Sequence, residues 1–138
     1  MATINPYLTF KGNCEEAFEF YRSVFGGEFA TVMRMGDATG MPVPEEAKNK
    51  IMHIALPIGD SAVLMGSDSG EGFGPPVNVG NNYSVAIGAK GKEESDRLFN
   101  GLSAGGHVTM PMADAFWGGY FGMLTDKFGF QWMINGEK

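Results

Sequence analysis

The sequence predicts an α+β fold of two βαβββ modules that form a curved mixed sheet around a cleft, and three observations predict it. Runs of β-type alternation flank two segments of helical period, in the same order twice. Each helical segment ends on a glycine pair, Gly26-Gly27 and Gly105-Gly106. The landmarks also repeat at nearly constant spacing: Glu15-Glu16 and Glu93-Glu94 lie 78 residues apart, and the glycine pairs 79.

Taken in order, Ile4 to Phe10 reads as a strand, with Pro6 tolerable only near its start or on an edge. Ala17, Phe20, Tyr21, Val24 and Phe25 then line one face of a helix, opened by Asn13 with Glu16 three residues on as an Asn variant of a capping box. Glu28 to Met35 alternates again, and Gly36 to Lys50, with Pro42 and Pro44, reads as a long loop. Ile51 to Ile58 and Ala62 to Met65 make a hairpin across Gly59-Asp60-Ser61. In the second half Tyr83 to Ile87 is a strand, and Ser95, Leu98, Phe99 and Leu102 mark a helix over Glu93 to Ser103. His107 to Met112, Gly119 to Thr125 and Phe130 to Asn135 are strands, the last two joined by the turn Asp126-Lys127-Phe128-Gly129. The whole is one domain over 1–138: module one about 1–66, a linker about 67–82 and module two about 83–138. Neither half, at ~60 residues, would bury much core alone.

Composition excludes several function classes. Ten Lys and Arg against 16 Asp and Glu give a formal charge of −6, which repels a phosphate backbone and an anionic bilayer, so neither nucleic acid nor membrane is an expected partner. No apolar run approaches the ~18 residues of a membrane span. The first residues lack the basic start and apolar run of a signal peptide, and the lone Cys14 has no disulfide partner within the chain, so a cytoplasmic location is expected. Gly at 21 of 138 residues, with ten Met and eleven Phe, predicts many tight turns around a soft, adaptable apolar interior.

Certain segments carry a family resemblance. Asn5-Pro6-Tyr7-Leu8-Thr9-Phe10, then Glu16-Ala17-Phe18-Glu19-Phe20-Tyr21 running into Val24-Phe25-Gly26-Gly27-Glu28, are of this kind. So are Ile51-Met52-His53-Ile54-Ala55-Leu56, Val63-Leu64-Met65-Gly66-Ser67-Asp68 and Thr125-Asp126-Lys127-Phe128-Gly129-Phe130-Gln131-Trp132. With the paired modules, they resemble the PhnB-like branch of the vicinal oxygen chelate superfamily, the glyoxalase, bleomycin-resistance and dioxygenase group. That scaffold hosts isomerisation, ring cleavage, thiol addition and plain sequestration, so the resemblance implies fold more narrowly than function.

Superfamily enzymes place His, Glu or Gln metal ligands on the first and last strands of each module. The resemblance carries these positions onto Pro6 or Tyr7, Val63 to Met65, Asn82 to Ser84, and Met133. None is His or a carboxylate, so it implies no metal site and no cofactor here; divalent metals need hard oxygen or imidazole donors. The expected function is binding of a small molecule in the cleft, with Tyr7, Met65, Ser84, Trp117, Tyr120, Phe121 and Met133 as its lining. The alternative is a metal-dependent lyase, isomerase or dioxygenase that uses His53. A second alternative is a dimeric interaction module whose cleft is filled by its own Met and Phe side chains. By the same resemblance the chain is expected to form a homodimer.

Individual residues have plainer readings beside these. His53 is the candidate catalytic residue, since histidine can exchange a proton near neutrality, but a lone mid-strand His is commonly a hydrogen-bonded structural residue. His107 reads as an exposed cation near a helix exit. Cys14 and the acidic pairs Glu15-Glu16 and Glu93-Glu94 read as helix-start residues. Asp68-Ser69-Gly70-Glu71-Gly72-Phe73-Gly74 spells a methyltransferase-type glycine signature. Pro75-Pro76 forbids the helix N-terminus such a loop needs, and only 64 residues follow, which leaves a linker. The run Met110 to Phe121 suits either a ligand surface or ordinary contact.

Overall fold

A computed structural model describes residues 2–37, 40, 42–70 and 74–137. The chain divides into two compact units, Met1–Asn78 and Val79–Lys138. The first holds β1 (Tyr7–Phe10), α1 (Cys14–Phe25), β2 (Thr31–Arg34), β3 (Ile51–Ile58) and β4 (Ala62–Asp68); the second holds β5 (Val85–Ala89), α2 (Gly91–Ser103), β6 (His107–Asp114), β7 (Tyr120–Thr125) and β8 (Gln131–Gly136). Each unit has a four-stranded mixed sheet, ordered β1-β4-β3-β2 and β5-β8-β7-β6. In both, the first and last strands pair in parallel and the other neighbours antiparallel. The repeated βαβββ order read from the sequence is therefore present in both units, and the class is α+β.

Each helix packs on one face of its own sheet. Glycines let the two approach: a Cβ on Gly66 would lie 2.6 Å from Phe18 Cε1, and one on Gly136 would collide with the Ser95 hydroxyl. Around these contacts Phe18, Tyr21, Ile54, Leu56 and Leu64 in the first unit, and Leu102, Leu124, Trp132 and Ile134 in the second, are almost fully buried. Each such side chain contributes roughly 1.5–3 kcal/mol of hydrophobic stabilisation.

Strand ends differ from the sequence reading for identifiable reasons. Residues 4–6 do not join β1 because Pro6 has no N–H to give a ladder, although the Met65 N–H still donates to Pro6 O and the Val63 N–H to Asn5 Oδ1. β2 is only Thr31–Arg34, because the chain turns into a short 3-10 segment, Met35–Asp37, that buries Met35. The expected loop at 36–50 contains a second such turn, Glu45–Ala47, with Ala47 buried; residues 38, 39 and 41 lie outside the described residues. β4 extends to Asp68, two residues into the segment assigned to the linker. β5 begins two residues later than expected, while the Tyr83 hydroxyl accepts the Gln131 N–H at the start of β8. β6 runs on through Pro111 to Asp114 as an edge strand with two register shifts.

The expected capping box at Asn13 is not formed: Asn13 makes no side-chain cap. Asp68 does that work from the end of β4. Its Oδ1 accepts the N–H groups of Gly12 (3.0 Å) and Cys14 (2.9 Å), and its Oδ2 accepts that of Ile51 (2.8 Å). In the second unit Asp126 holds the β7–β8 turn. It accepts the N–H groups of Phe128 and Phe130 and the indole N–H of Trp132.

Candidate functional site

Side chains alternate across a strand, and register partners share a face. In the first unit Tyr7 pairs with Met65 and Met65 with Ala55, while His53 lies two residues from Ala55. Tyr7, Met65 and His53 therefore meet on the face that α1 does not cover. The Tyr7 and His53 rings stack there, with centroids 5.9 Å apart and planes at 26°. Tyr7 is exposed, and Met65 and His53 are half-buried.

In the second unit Phe121 pairs with Asn135, and Met123 with Met133, on the face that α2 does not cover. Trp117, in the turn before β7, sets its ring against Phe121 at 5.7 Å and 69°. Phe121, Met133 and Trp117 are thus brought to one face. Tyr120 is not. As the neighbour of Phe121 it points to the helix side, where its hydroxyl donates to Asp96 Oδ1 at 2.6 Å and the Lys92 ammonium lies over its ring. That hydrogen bond, with some desolvation and the charges of Asp96 and Asp114, holds the Tyr120 phenol above its ordinary range. Ser84 is half-buried, one residue ahead of β5.

Register also settles which residues occupy equivalent places in the two units. Tyr7 opposite Met65 on parallel strands corresponds to Ala86 opposite Met133, so the position the sequence reading set at Asn82 to Ser84 belongs to Ala86. The four residues are a phenol, two thioethers and a methyl group. That set does not suit a hard divalent ion, which takes imidazole or carboxylate donors. Among the described residues, no three His, Cys, Asp or Glu side chains gather where they could hold a metal ion.

Other sequence candidates fall to structure. Cys14 is fully buried, and burial together with the Asp68 and Glu15 charges pushes its thiol far up, so it is no nucleophile. Glu15 is tied to Arg34 by two hydrogen bonds of 2.9 and 2.7 Å, which hold its carboxyl below the usual range. In the glycine signature Asp68 is a structural cap; 71–73 lie outside the described residues, and 74–84 contain no helix. Sequence reasoning missed Asn135 and Ala86, though both lie two residues along a strand from a face that was otherwise legible.

Comparison with known proteins agrees with this fold. The family model described as 3-demethylubiquinone-9 3-methyltransferase matches residues 2–135. Protein YjdN of Escherichia coli (strain K12) is 30% identical over 96% of this chain and 93% of its own. The crystal structure of protein PA1353 from Pseudomonas aeruginosa is 42% identical, with a TM-score of 0.87 over 99% of this chain and 98% of that one. A protein from Bacillus cereus described as a putative 3-demethylubiquinone-9 3-methyltransferase, PhnB protein, is 25% identical, with a TM-score of 0.74 over 98% and 99%. A glyoxalase/bleomycin resistance protein/dioxygenase family enzyme from Burkholderia phytofirmans, 16% identical, shares the fold at a TM-score of 0.61 over 96% and 97%. With a family match over nearly its whole length, the chain belongs to the family described as 3-demethylubiquinone-9 3-methyltransferase, and it shares its fold with the glyoxalase/bleomycin resistance protein/dioxygenase structure.

Proposed function

We propose that this chain is a metal-free binding protein for a small, partly apolar molecule, held on the sheet faces that its helices leave uncovered. The observation that carries this reading is the set Tyr7, Met65, Ala86 and Met133 at the four register-matched positions. Their chemistry suits apolar contact and not metal ligation. Phe121 and Trp117 extend the same kind of surface. The formal charge of −6 disfavours polyanionic partners. Methyl transfer, which the family description names, receives no support from 74–84, where no helix follows the glycines to cradle a cofactor. No helix among the described residues is long and apolar enough to cross a membrane. From the family resemblance we also infer a homodimer working in the cytoplasm.

Metal analysis of protein purified without supplementation, combined with a thermal-shift screen of small aromatic and aliphatic compounds, tests the reading. Stabilising hits on metal-free protein are expected. Stoichiometric divalent metal, lost on substitution of His53, would overturn it.

One observation favours a second reading. His53 stacks on Tyr7 at a solvent-reachable face, where an imidazole could exchange a proton with a bound molecule. A turnover that survives metal chelation and disappears in His53→Gln would establish that role.

A further inference from the structure

The β6–β7 turn joins three features. It is closed by the Ala115 N–H donating to Gly119 O and the Gly118 N–H donating to Ala115 O, which fixes the backbone that carries Trp117. Gly119 lacks a Cβ, and the space one would fill has Trp117 Nε1 and Asn135 Oδ1 each 2.9 Å away. The two polar atoms are thus less than about 6 Å apart, and a ligand hydroxyl would bridge them from the side away from the Gly119 Cα. The indole N–H and the amide oxygen make no hydrogen bond to any described residue. Phe121 and Phe116, the latter 99% exposed, each set their rings edge-on to Trp117.

We propose that Trp117, Asn135 and Phe121, gathered over Gly119, form a binding subsite for a neutral aromatic hydroxyl compound. This rests on the reading of the chain as a small-molecule-binding protein and names the class of ligand for one of its faces. The ligand hydroxyl accepts from the indole N–H and donates to the Asn135 oxygen, while its ring lies against the aromatic pair. Both protein groups are uncharged, and an anion in the same place would meet the Asn135 oxygen lone pairs without a proton to offer. A ring lacking the hydroxyl would leave donor and acceptor covered and unpaired.

The test titrates para-ethylphenol into isotope-labelled full-length protein and follows the resonances of its two indole N–H groups. The Trp117 signal is expected to move, and that of Trp132, whose N–H is held by Asp126, to stay. Asn135→Leu is expected to weaken para-ethylphenol by about five- to tenfold. Para-ethylanisole, which cannot donate, should bind the unaltered protein about as weakly as the phenol binds that variant. Gly119→Ala provides a second variant, expected to weaken the phenol by parting the two polar groups, with the amide spectrum reporting that the fold is kept. An unmoved Trp117 signal, or equal affinity for the phenol and its ether, refutes the subsite. Neither result touches the binding-protein reading, which falls instead to stoichiometric metal.

Discussion

Replacing Asp68 with alanine is expected to destabilise the first unit severely. Asp68 is 4% exposed, and its carboxylate accepts three backbone N–H groups, two of which, on Cys14 and Ile51, are buried. Each buried donor left without a partner costs about 1–3 kcal/mol. Gly12 is only partly buried and water can take over its N–H, so the total comes to roughly 3–6 kcal/mol once the lost charge assistance is added. A typical domain has about 5–15 kcal/mol in all. Asp68→Asn keeps one acceptor oxygen and turns an amide NH2 toward a remaining donor, so about 1–3 kcal/mol is expected from that change. Native-state hydrogen exchange reads the effect at its source. The Cys14 and Ile51 amides should lose on the order of a hundredfold or more of their protection in the alanine variant. Urea unfolding followed by circular dichroism gives the matching loss of stability. A deficit below about 1 kcal/mol, or protection unchanged at those two amides, would refute the view that Asp68 clamps β1, α1 and β3 together.

Three further perturbations separate packing from electrostatics. Gly136→Ala, which drives a methyl group into the Ser95 hydroxyl, should cost about 1–3 kcal/mol in a thermal melt, and Ser95→Gly added to it should recover most of that loss. The Tyr120 phenol is raised by its bond to Asp96, so its contribution is intact below the ordinary tyrosine range and is lost as pH rises through the elevated folded value. Ultraviolet titration should show late phenols, Tyr83 among them because burial raises it, and Tyr120→Phe should remove one of these. Glu15 is held low by Arg34, so its contribution is present above the ordinary carboxylate range and fades as pH falls through the depressed folded value. Arg34→Gln should cost no more than about 1 kcal/mol at neutral pH, less in high salt, and nothing in strong acid.

Periodicity reveals what contacts solvent and what does not, and so α1, α2, β3 and the hairpin into β4 were legible from the chain alone. Ala17, Tyr21 and Val24 announce a buried helical stripe, and Ser95, Phe99 and Leu102 repeat it. Strand ends were less legible because alternation does not say where pairing begins: Pro6 and Tyr83 both lie beside a strand without joining the ladder. Asp68 could not be recognised as a cap, since its partners lie 54 to 56 residues back and 17 residues back. At the candidate site, Tyr7, His53 and Met65 converge as a group, but Tyr120 does not join Phe121. That separation was implicit in the sequence, because adjacent residues of one strand cannot line the same surface.

The parallel pairing of the first and last strands in each unit bears on how the protein is made. Tyr7 waits for Met65, 58 residues later, before it has a neighbour. At ribosomal speeds of about 5–20 residues per second, that interval is roughly 3–12 s. Throughout it the nascent β1 segment has no mate, and Phe10 and Leu8 stand where a chaperone can grip them. Slower codons between the two strands would lengthen that window, and a shorter wait, the 47 residues from Ala86 to Met133, recurs between β5 and β8.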